Sequence, residues 1–168
     1  MSHRSGFSTP ENFYVDALRA HDLEELMEII STEPLHYEPG TKYLYGISQS
    51  ILGRVAEVAS GKSFDIFLKE SLFDPLEMNR TGFYLDKKTK KLLQPLYVSG
   101  GNLEGFNEDG ITRIGNMMTY HKDSQTPLGA EGVLTTSGDF SNFCEMLVSN
   151  GSFKGKKILA PESIGLMT

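Results

Sequence analysis

The stretch Glu38–Gly53, EPGTKYLYGISQSILG, passes from a Pro-Gly turn directly into a helical pattern. Pro39 and Gly40 interrupt the preceding helix. Apolar residues then recur at helical spacing, which predicts one packed face made of Ile51, Leu52, Val55, Val58 and Ala59. Ser60-Gly61 supplies the usual glycine end. The stretch therefore predicts a helix from Ile47, with Tyr45 at the hinge between turn and helix.

Two shorter helices are predicted before this stretch. Thr9 and Pro10 can cap and open the first of them. Asp22 with Glu25 is typical of a second helix start. The second helix has one apolar face, made of Leu23, Leu26, Met27 and Ile30, which should be buried.

The pattern after Gly61 predicts more helices and a few short strands. Ser63 is expected to cap one helix, and Ser137 to cap a later one that ends at Asn150-Gly151. A last helical turn starts at Pro161. Strands are expected in Thr81–Asp86 and Leu92–Ser99, whereas Ser99–Glu131 shows no clear period. We predict a mostly α fold with short β strands.

Composition excludes several classes of protein. A length of 168 residues fits a single domain, 1–168, and the formal charge of −6 argues against a nucleic-acid partner. No apolar run is long enough to cross a membrane. The single cysteine, Cys144, cannot form an internal disulfide and is expected to be a small buried residue. The four histidines form no metal-ligand pattern, so neither a metal nor a cofactor is predicted.

Four blocks, taken in order, resemble the serine β-lactamase and penicillin-binding-protein superfamily, in its class C β-lactamase and esterase branch. SHRSGFS at Ser2–Ser8 is similar to the family's HTSGL element. The block Glu38–Phe64, which contains the Glu38–Gly53 stretch, is similar to its PGT turn and the Tyr-x-Asn motif that follows. LFDPLEMNRTGF at Leu72–Phe83 is similar to the PLGM-x-x-T segment. The last block, which starts at Gly129, is similar to the family's GGL-x-ST element and the helix that follows it. The resemblance implies the helical lobe of the β-lactamase/transpeptidase-like fold.

The family's chemistry is acyl transfer through a serine ester. The resemblance implies that Tyr45 is the catalytic tyrosine, which takes part in proton transfer together with a serine and a lysine. Ile47 and Gly132 are implied to contact substrate. Ile47 replaces an asparagine that commonly binds substrate amides, and this favours ester or other small acyl substrates over β-lactams.

Two of the family's motifs are absent from these 168 residues. No serine has a lysine three residues on, and there is neither Lys-Thr-Gly nor His-x-Gly. Thr119, in Thr119-Tyr120-His121-Lys122, lies after the tyrosine and is not expected to replace the nucleophile. Either the chain is an interior part of a longer hydrolase or acyltransferase, inactive alone, or it is a non-catalytic binding or scaffold module that kept the lobe.

The longer-enzyme interpretation implies specific partners. These are a small-molecule acyl substrate in the parent enzyme and the remainder of the parent chain, with a nucleophile-bearing part before this lobe and sheet strands after it. Apolar surface that the remainder would cover is then expected to be exposed and to allow self-association. No secretory signal pattern opens the sequence. Family members are often extracytoplasmic, and the compartment stays open.

Overall fold

The computed structural model describes residues 3–84, 88–92, 96–97, 103–104, 111–114, 117–121 and 126–167. The α-helices within these ranges are α1 (Phe13–Arg19), α2 (Leu23–Ser31), α3 (Ser48–Ser60), α4 (Phe64–Leu68), α5 (Ser137–Val148) and α6 (Pro161–Gly165). A π-helix, Lys69–Phe73, follows α4, and Thr89–Leu92 form a short 3-10 helix. The strands are β1 (Leu96–Tyr97), β2 (Leu103–Glu104), β3 (Ile111–Ile114), β4 (Met117–His121), β5 (Ser152–Phe153) and β6 (Lys156–Lys157). The predicted fold class, mostly α with short strands, is confirmed.

The chain divides into two compact units, residues 1–64 with 85–132 and residues 65–84 with 133–168. We call them unit 1 and unit 2 and describe each by itself. The assignment of residues 1–168 to one domain stays a prediction. No helix in the described ranges is long and apolar enough to span a membrane.

The core of unit 1 forms where α1 and α2 bury their apolar faces. It contains Phe13, Ala17, Ala20, Leu23, Leu26, Ile30 and Ile47. Asp22 caps α2 as predicted, because its carboxylate accepts the Glu25 backbone N–H at 2.9 Å. The first helix begins later than Thr9 and Pro10 suggested. The Pro10 carbonyl instead accepts the Phe13 N–H at 3.1 Å, which places those residues in a turn before α1.

Helix α3 has the predicted length but the opposite face is buried. Leu52, Val55 and Val58 are 47%, 54% and 69% exposed. The buried positions are Ser48, Ser50, Gly53 and Glu57. A Cβ at Gly53 would lie 3.2 Å from Leu23 and 3.4 Å from Phe64, so the missing side chain allows close packing. The prediction of a packed apolar face on α3 is therefore wrong for Leu52, Val55, Val58 and Ala59, whereas Ile51 packs against the core of unit 1.

Glu57 explains how a charged residue is tolerated on that buried face. Its carboxylate accepts the Phe64 backbone N–H at 2.8 Å and an Arg54 guanidinium N–H at 3.1 Å. Arg54 also pairs with Glu24 of α2. Hydrogen bonds of this kind offset the cost of burying a carboxylate.

Between Ser99 and Glu131, where no period was found, the backbone forms an antiparallel hairpin. Strand β3 pairs with β4, with a register shift between Thr112 and Arg113. β1 and β2 form a second short pair. Strand β1 lies inside the predicted strand Leu92–Ser99. In the sequence, the Gly115-Asn116 pair between ITRI and MMTYH is a hairpin signal that hydrophobic periodicity does not register.

Unit 2 packs α5, the β5/β6 hairpin and α6 around a second core, made of Phe73, Leu76, Met78, Met146, Phe153 and Ile164. The N-cap of α5 is Thr136, one residue before the predicted Ser137, and its hydroxyl accepts the Asp139 N–H at 3.1 Å. Asn150 and Gly151 end the helix with positive φ, as predicted. Cys144 is exposed, contrary to expectation, because α5 turns Met146 inward and Cys144 away.

Asp139 connects α5 by hydrogen bonds to the loop that contains Arg80 and Thr81. Its carboxylate accepts the Arg80 backbone N–H at 2.7 Å and the Thr81 hydroxyl at 2.8 Å. The residue is only 9% exposed. It is therefore a structural residue of the first helical turn of α5.

We expect Asp139→Ala to lower the free energy of unfolding by about 1 to 2 kcal/mol, because the partly buried Arg80 N–H and Thr81 hydroxyl lose a charged acceptor. Chemical denaturation of the wild type and the variant measures this. Glu145→Ala, which removes an exposed carboxylate from the same helix, should stay within about 0.5 kcal/mol of the wild type. Equal losses in the two variants would contradict the role assigned to Asp139.

Candidate active site

Tyr45 lies just before α3, and its side chain is 73% exposed. The residue after it, Gly46, is buried. A Cβ at Gly46 would lie 2.7 Å from the Phe7 carbonyl oxygen and 2.8 Å from the Ser8 carbonyl carbon, so no larger residue fits. The backbone beside Tyr45 is therefore fixed while its phenol faces outward.

His3 covers one side of the Tyr45 ring. The two rings stack, with centroids 4.7 Å apart and planes inclined by 27°. The side-chain amide of Gln49 donates a hydrogen bond to Nε2 of His3, with 2.7 Å between the nitrogens. The ring of Tyr43 meets His3 edge-on at 5.8 Å. Gln49 is in the first turn of α3, so the helix that follows Tyr45 also orients the ring stacked on it.

Backbone hydrogen bonds hold the N-terminal segment against the turn before Tyr45. The Leu44 N–H donates to the His3 carbonyl at 2.8 Å, and the Gly40 N–H donates to the Arg4 carbonyl at 2.8 Å. The SHRSGFS block and the PGT turn thus form one support. The sequence suggested both blocks but not that they bind each other.

Ile47, predicted to contact substrate, is 2% exposed and packs in the core of unit 1. Burying an isoleucine side chain stabilises a fold by about 2 kcal/mol. In the described residues its side chain thus anchors the start of α3. Substrate contact by Ile47 stays a prediction.

Tyr14 of α1 and Glu131 form a second polar pair in unit 1. The Tyr14 hydroxyl is hydrogen-bonded to the Glu131 carboxylate, and Tyr45 acts on Tyr14 electrostatically. Burial, then this hydrogen bond and the negative charge of Glu131, raise the pKa of Tyr14 to about 12. Tyr14 is accordingly a neutral donor at physiological pH.

Burial raises the pKa of Glu131 above its ordinary value, and the hydrogen bond from Tyr14 offsets part of that rise. Desolvation is the larger effect. No basic side chain in the described ranges forms an ion pair with Glu131. The carboxylate is thus half-buried with a neutral partner.

The segment that carries Glu131 is held against the helices of unit 1. The Thr126 hydroxyl donates to the Ala20 carbonyl at 3.3 Å, and Leu128 packs on the core. A side chain at Gly129 would overlap the Gln49 carbonyl oxygen. Gly132, the other predicted substrate contact, follows Glu131 and has φ of +97°, which disfavours any residue with a Cβ.

Unit 1 thus contains two polar arrangements that the motifs did not predict, Gln49 bonded to the His3 ring that stacks on Tyr45, and Tyr14 with Glu131. Tyr14, Gln49 and Glu131 were missed as site residues. Tyr14 belongs to an ordinary helical pattern, so nothing in the local sequence distinguishes it. Glu131 stands next to Gly132, and a carboxylate in a glycine-bounded turn was the one available signal.

A groove of about 340 Å³ runs along the start of α3, lined by His3 and Arg4 on one side and Leu52 and Val55 on the other. Its lining is mostly apolar. Among the described residues no group of three or more acidic, histidine or cysteine side chains could hold a metal ion.

Residues 1–167 match the family model for beta-lactamase, and the chain belongs to that family. A putative D-alanyl-D-alanine carboxypeptidase from Escherichia coli (strain K12) is 23% identical, over all of this chain and 42% of its own length. An N-acetylmuramyl-L-alanine amidase from Bacillus subtilis (strain 168) is 24% identical, over all of this chain and 41% of its own length. The chain spans about two fifths of these curated relatives.

Solved structures show the same fold. EstCE1, described as a hydrolase with promiscuous acyltransferase activity, superposes with a TM-score of 0.74 at 20% identity, covering 99% of this chain and 48% of that one. A penicillin-binding protein from Bacillus halodurans gives a TM-score of 0.65 at 18% identity, covering 100% and 49%. The recognition of the superfamily from its four blocks is confirmed.

We expect His3→Ala to free the Tyr45 ring and to lower the free energy of unfolding by about 1 kcal/mol, as for other lost ring pairs. Aromatic NMR of the chain should show the Tyr45 resonances shifting toward those of a mobile tyrosine. His36→Ala, which removes an exposed ring bonded to Ser8, is the matched control. Unchanged Tyr45 resonances in His3→Ala would contradict the stacking.

We expect Glu131→Gln to stabilise the chain at neutral pH and not in acid. A carboxyl group whose folded pKa is raised stabilises the fold below its unfolded pKa, and this contribution is lost as pH rises through the folded pKa. The wild type therefore carries the cost of the ionised carboxylate at neutral pH, whereas glutamine keeps an acceptor for Tyr14 without the charge.

Denaturation at neutral pH and at about pH 4 measures the difference, with an expected gain of less than about 1 kcal/mol because half-exposed charges are screened. Glu28→Gln, on the exposed side of α2, should show no such pH dependence. A stability gain that is the same at both pH values would be inconsistent with a buried, ionised Glu131.

Proposed function

We propose that this chain forms part of a serine hydrolase or acyltransferase that acts through an acyl-enzyme on an ester, amide or peptide carbonyl. Tyr45 is its proton-transferring residue. The tyrosine acts as base to the serine and then as acid to the leaving group. Ile47, in place of the amide-binding asparagine, favours ester or other small acyl substrates.

The observation that carries this proposal is the support around Tyr45. The phenol is exposed, yet Gly46 is clamped against Phe7 and Ser8, and His3 stacks on the ring. An exposed polar group on a fixed backbone is what proton transfer requires, because small errors in position reduce rates sharply. A tyrosine retained only for solubility needs no such support.

The nucleophile and its lysine are proposed to come from further polypeptide. Relatives that match the whole chain are more than twice as long, and these 168 residues hold no Ser-x-x-Lys. The exposed apolar face of α3, with Leu52, Val55 and Val58, is proposed to pack against that remainder. Alone, the same face would promote self-association, and the chain would be inactive.

A non-catalytic binding or scaffold module is the second candidate. The specific observation in its favour is the lack of both Ser-x-x-Lys and a Lys-Thr-Gly or His-x-Gly motif. Such a module would keep the groove beside α3 without any requirement for the Tyr45 hydroxyl.

The two candidates differ in the effect of Tyr45→Phe. In a polypeptide that includes the coding sequence upstream of Met1, with a Ser-x-x-Lys motif, we expect hydrolysis of a chromogenic acetate ester to fall by about 10² to 10⁴ in kcat/KM. The 168-residue chain should give no turnover of this ester or of a chromogenic cephalosporin.

Tyr43→Phe is the matched control, since it removes a phenol hydroxyl two residues away whose ring is also exposed and next to His3. Its activity should equal that of the wild type. If Tyr45→Phe hydrolyses the ester as fast as Tyr43→Phe does, Tyr45 is not the proton-transferring residue. If the longer polypeptide is also inactive, the module is favoured.

A further inference from the structure

The backbone of His3 adopts a conformation that is costly for a residue with a Cβ. Its φ is +46°, in the left-handed region that favours glycine. The Leu44 N–H, which donates to the His3 carbonyl at 2.8 Å, holds this conformation in place. Strained backbone of this kind persists where the surrounding structure enforces it, and it clusters at functional sites.

The His3 side chain carries a second cost. Its Nδ1 atom is buried and has no hydrogen-bond partner among the described residues. Buried polar atoms are usually paired, because an unpaired one loses its hydration without compensation. A glycine at position 3 would avoid both costs, so the fold of this segment does not by itself explain a histidine there.

The gain from the His3 ring is its contact with Tyr45. The two rings stack with centroids 4.7 Å apart and planes inclined by 27°, although the Tyr45 side chain is otherwise 73% exposed. Exposed side chains change rotamer on a picosecond to nanosecond timescale. A ring packed on one face of the phenol restricts those changes.

Gln49 fixes the His3 ring from an anchored position. Its side-chain amide is hydrogen-bonded to Nε2 of His3 at 2.7 Å. The residue lies in the first turn of α3 between Ser48 and Ser50, which are both buried, and a side chain at Gly129 would overlap its carbonyl oxygen. The amide that orients His3 is therefore on backbone that has little freedom to move, as precise positioning requires.

We propose that His3, held by Gln49, is a positioning residue that keeps the Tyr45 ring in one rotamer for proton transfer. Neither residue touches the reacting atoms, and both act through Tyr45. The inference rests on the proposed function and adds to it the pair that directs the phenol hydroxyl. Because misplacement of a reacting group lowers the rate of the chemical step, loss of the pair lowers kcat and leaves substrate binding unchanged.

The rotamer of Tyr45 in the 168-residue chain tests the first half of the proposal without any turnover. Three-bond scalar couplings about χ1, measured by NMR, should report a single rotamer in the wild type. Gln49→Met keeps the length of the side chain but loses the hydrogen bond, so the Tyr45 couplings should move to values averaged over several rotamers. Asn12→Met, which replaces the exposed amide before α1, is the matched control and should leave them unchanged.

A double variant shows whether Gln49 acts through His3. His3→Phe retains a ring for stacking but offers no hydrogen-bond partner to Gln49. Adding Gln49→Met to His3→Phe should therefore change the Tyr45 couplings no further, whereas two independent effects would add.

The longer polypeptide used to test Tyr45→Phe provides the kinetic measurement. At a temperature where every variant is folded, Gln49→Met should lower kcat for the acetate ester by about tenfold, with KM within about twofold of the wild type. Asn12→Met should match the wild type. A role confined to stability would leave kcat of the folded enzyme unchanged.

A single Tyr45 rotamer in Gln49→Met would overturn the proposal. So would a change in KM without a change in kcat, or a further effect of Gln49→Met in the His3→Phe background. These failures differ from failure of the proposed function, which is decided by Tyr45→Phe alone. An active Tyr45→Phe enzyme would remove the catalytic role of the phenol but would leave the measured rotamer as it is.

Discussion

The close contact between Gly46 and the backbone of Phe7 and Ser8 is the constraint on which the candidate site depends. It brings the N-terminal segment within reach of the turn before α3, so that the His3 carbonyl bonds to Leu44. Because the backbone is held both at His3 and at Gly46, the His3 ring is placed against the ring of Tyr45, on which it stacks. A Cβ at position 46 would separate the two segments and remove that ring contact.

The sequence predicted the helices of this fold better than their orientation. Asp22, Gly61 and Asn150-Gly151 mark helix ends by local chemistry that needs no tertiary information, and each acts as expected. The buried face of α3 was predicted wrongly because periodicity identifies an apolar face but not which neighbour covers it. Gly53 and Glu57 decide the outcome, one by allowing Leu23 to approach and the other by accepting the Phe64 N–H.

In the candidate site, too, local motifs could be predicted from the sequence, whereas tertiary contacts could not. Tyr45 could be found from a motif, since the PGT turn and the following helix are contiguous in sequence. Tyr14 and Glu131 are 117 positions apart, and their hydrogen bond depends on how Leu128 and Gly129 pack against unit 1. A single sequence carries no signal for such a pair. The need for glycine at position 46 likewise comes from the lack of space beside Phe7 and Ser8, which is tertiary information.

The charges around Tyr45 indicate that the described residues form only part of an active site, because they place no cation beside the phenol. A phenol has a pKa of about 10 in water and acts as a base near neutral pH only beside cations. No lysine or arginine in the described ranges lies over the Tyr45 ring. The ring that stacks on Tyr45, His3, is hydrogen-bonded to the side-chain amide of Gln49. Proton transfer by Tyr45 therefore requires positive charge from outside these residues, and the lysine of the family's Ser-x-x-Lys motif has the chemistry to provide it.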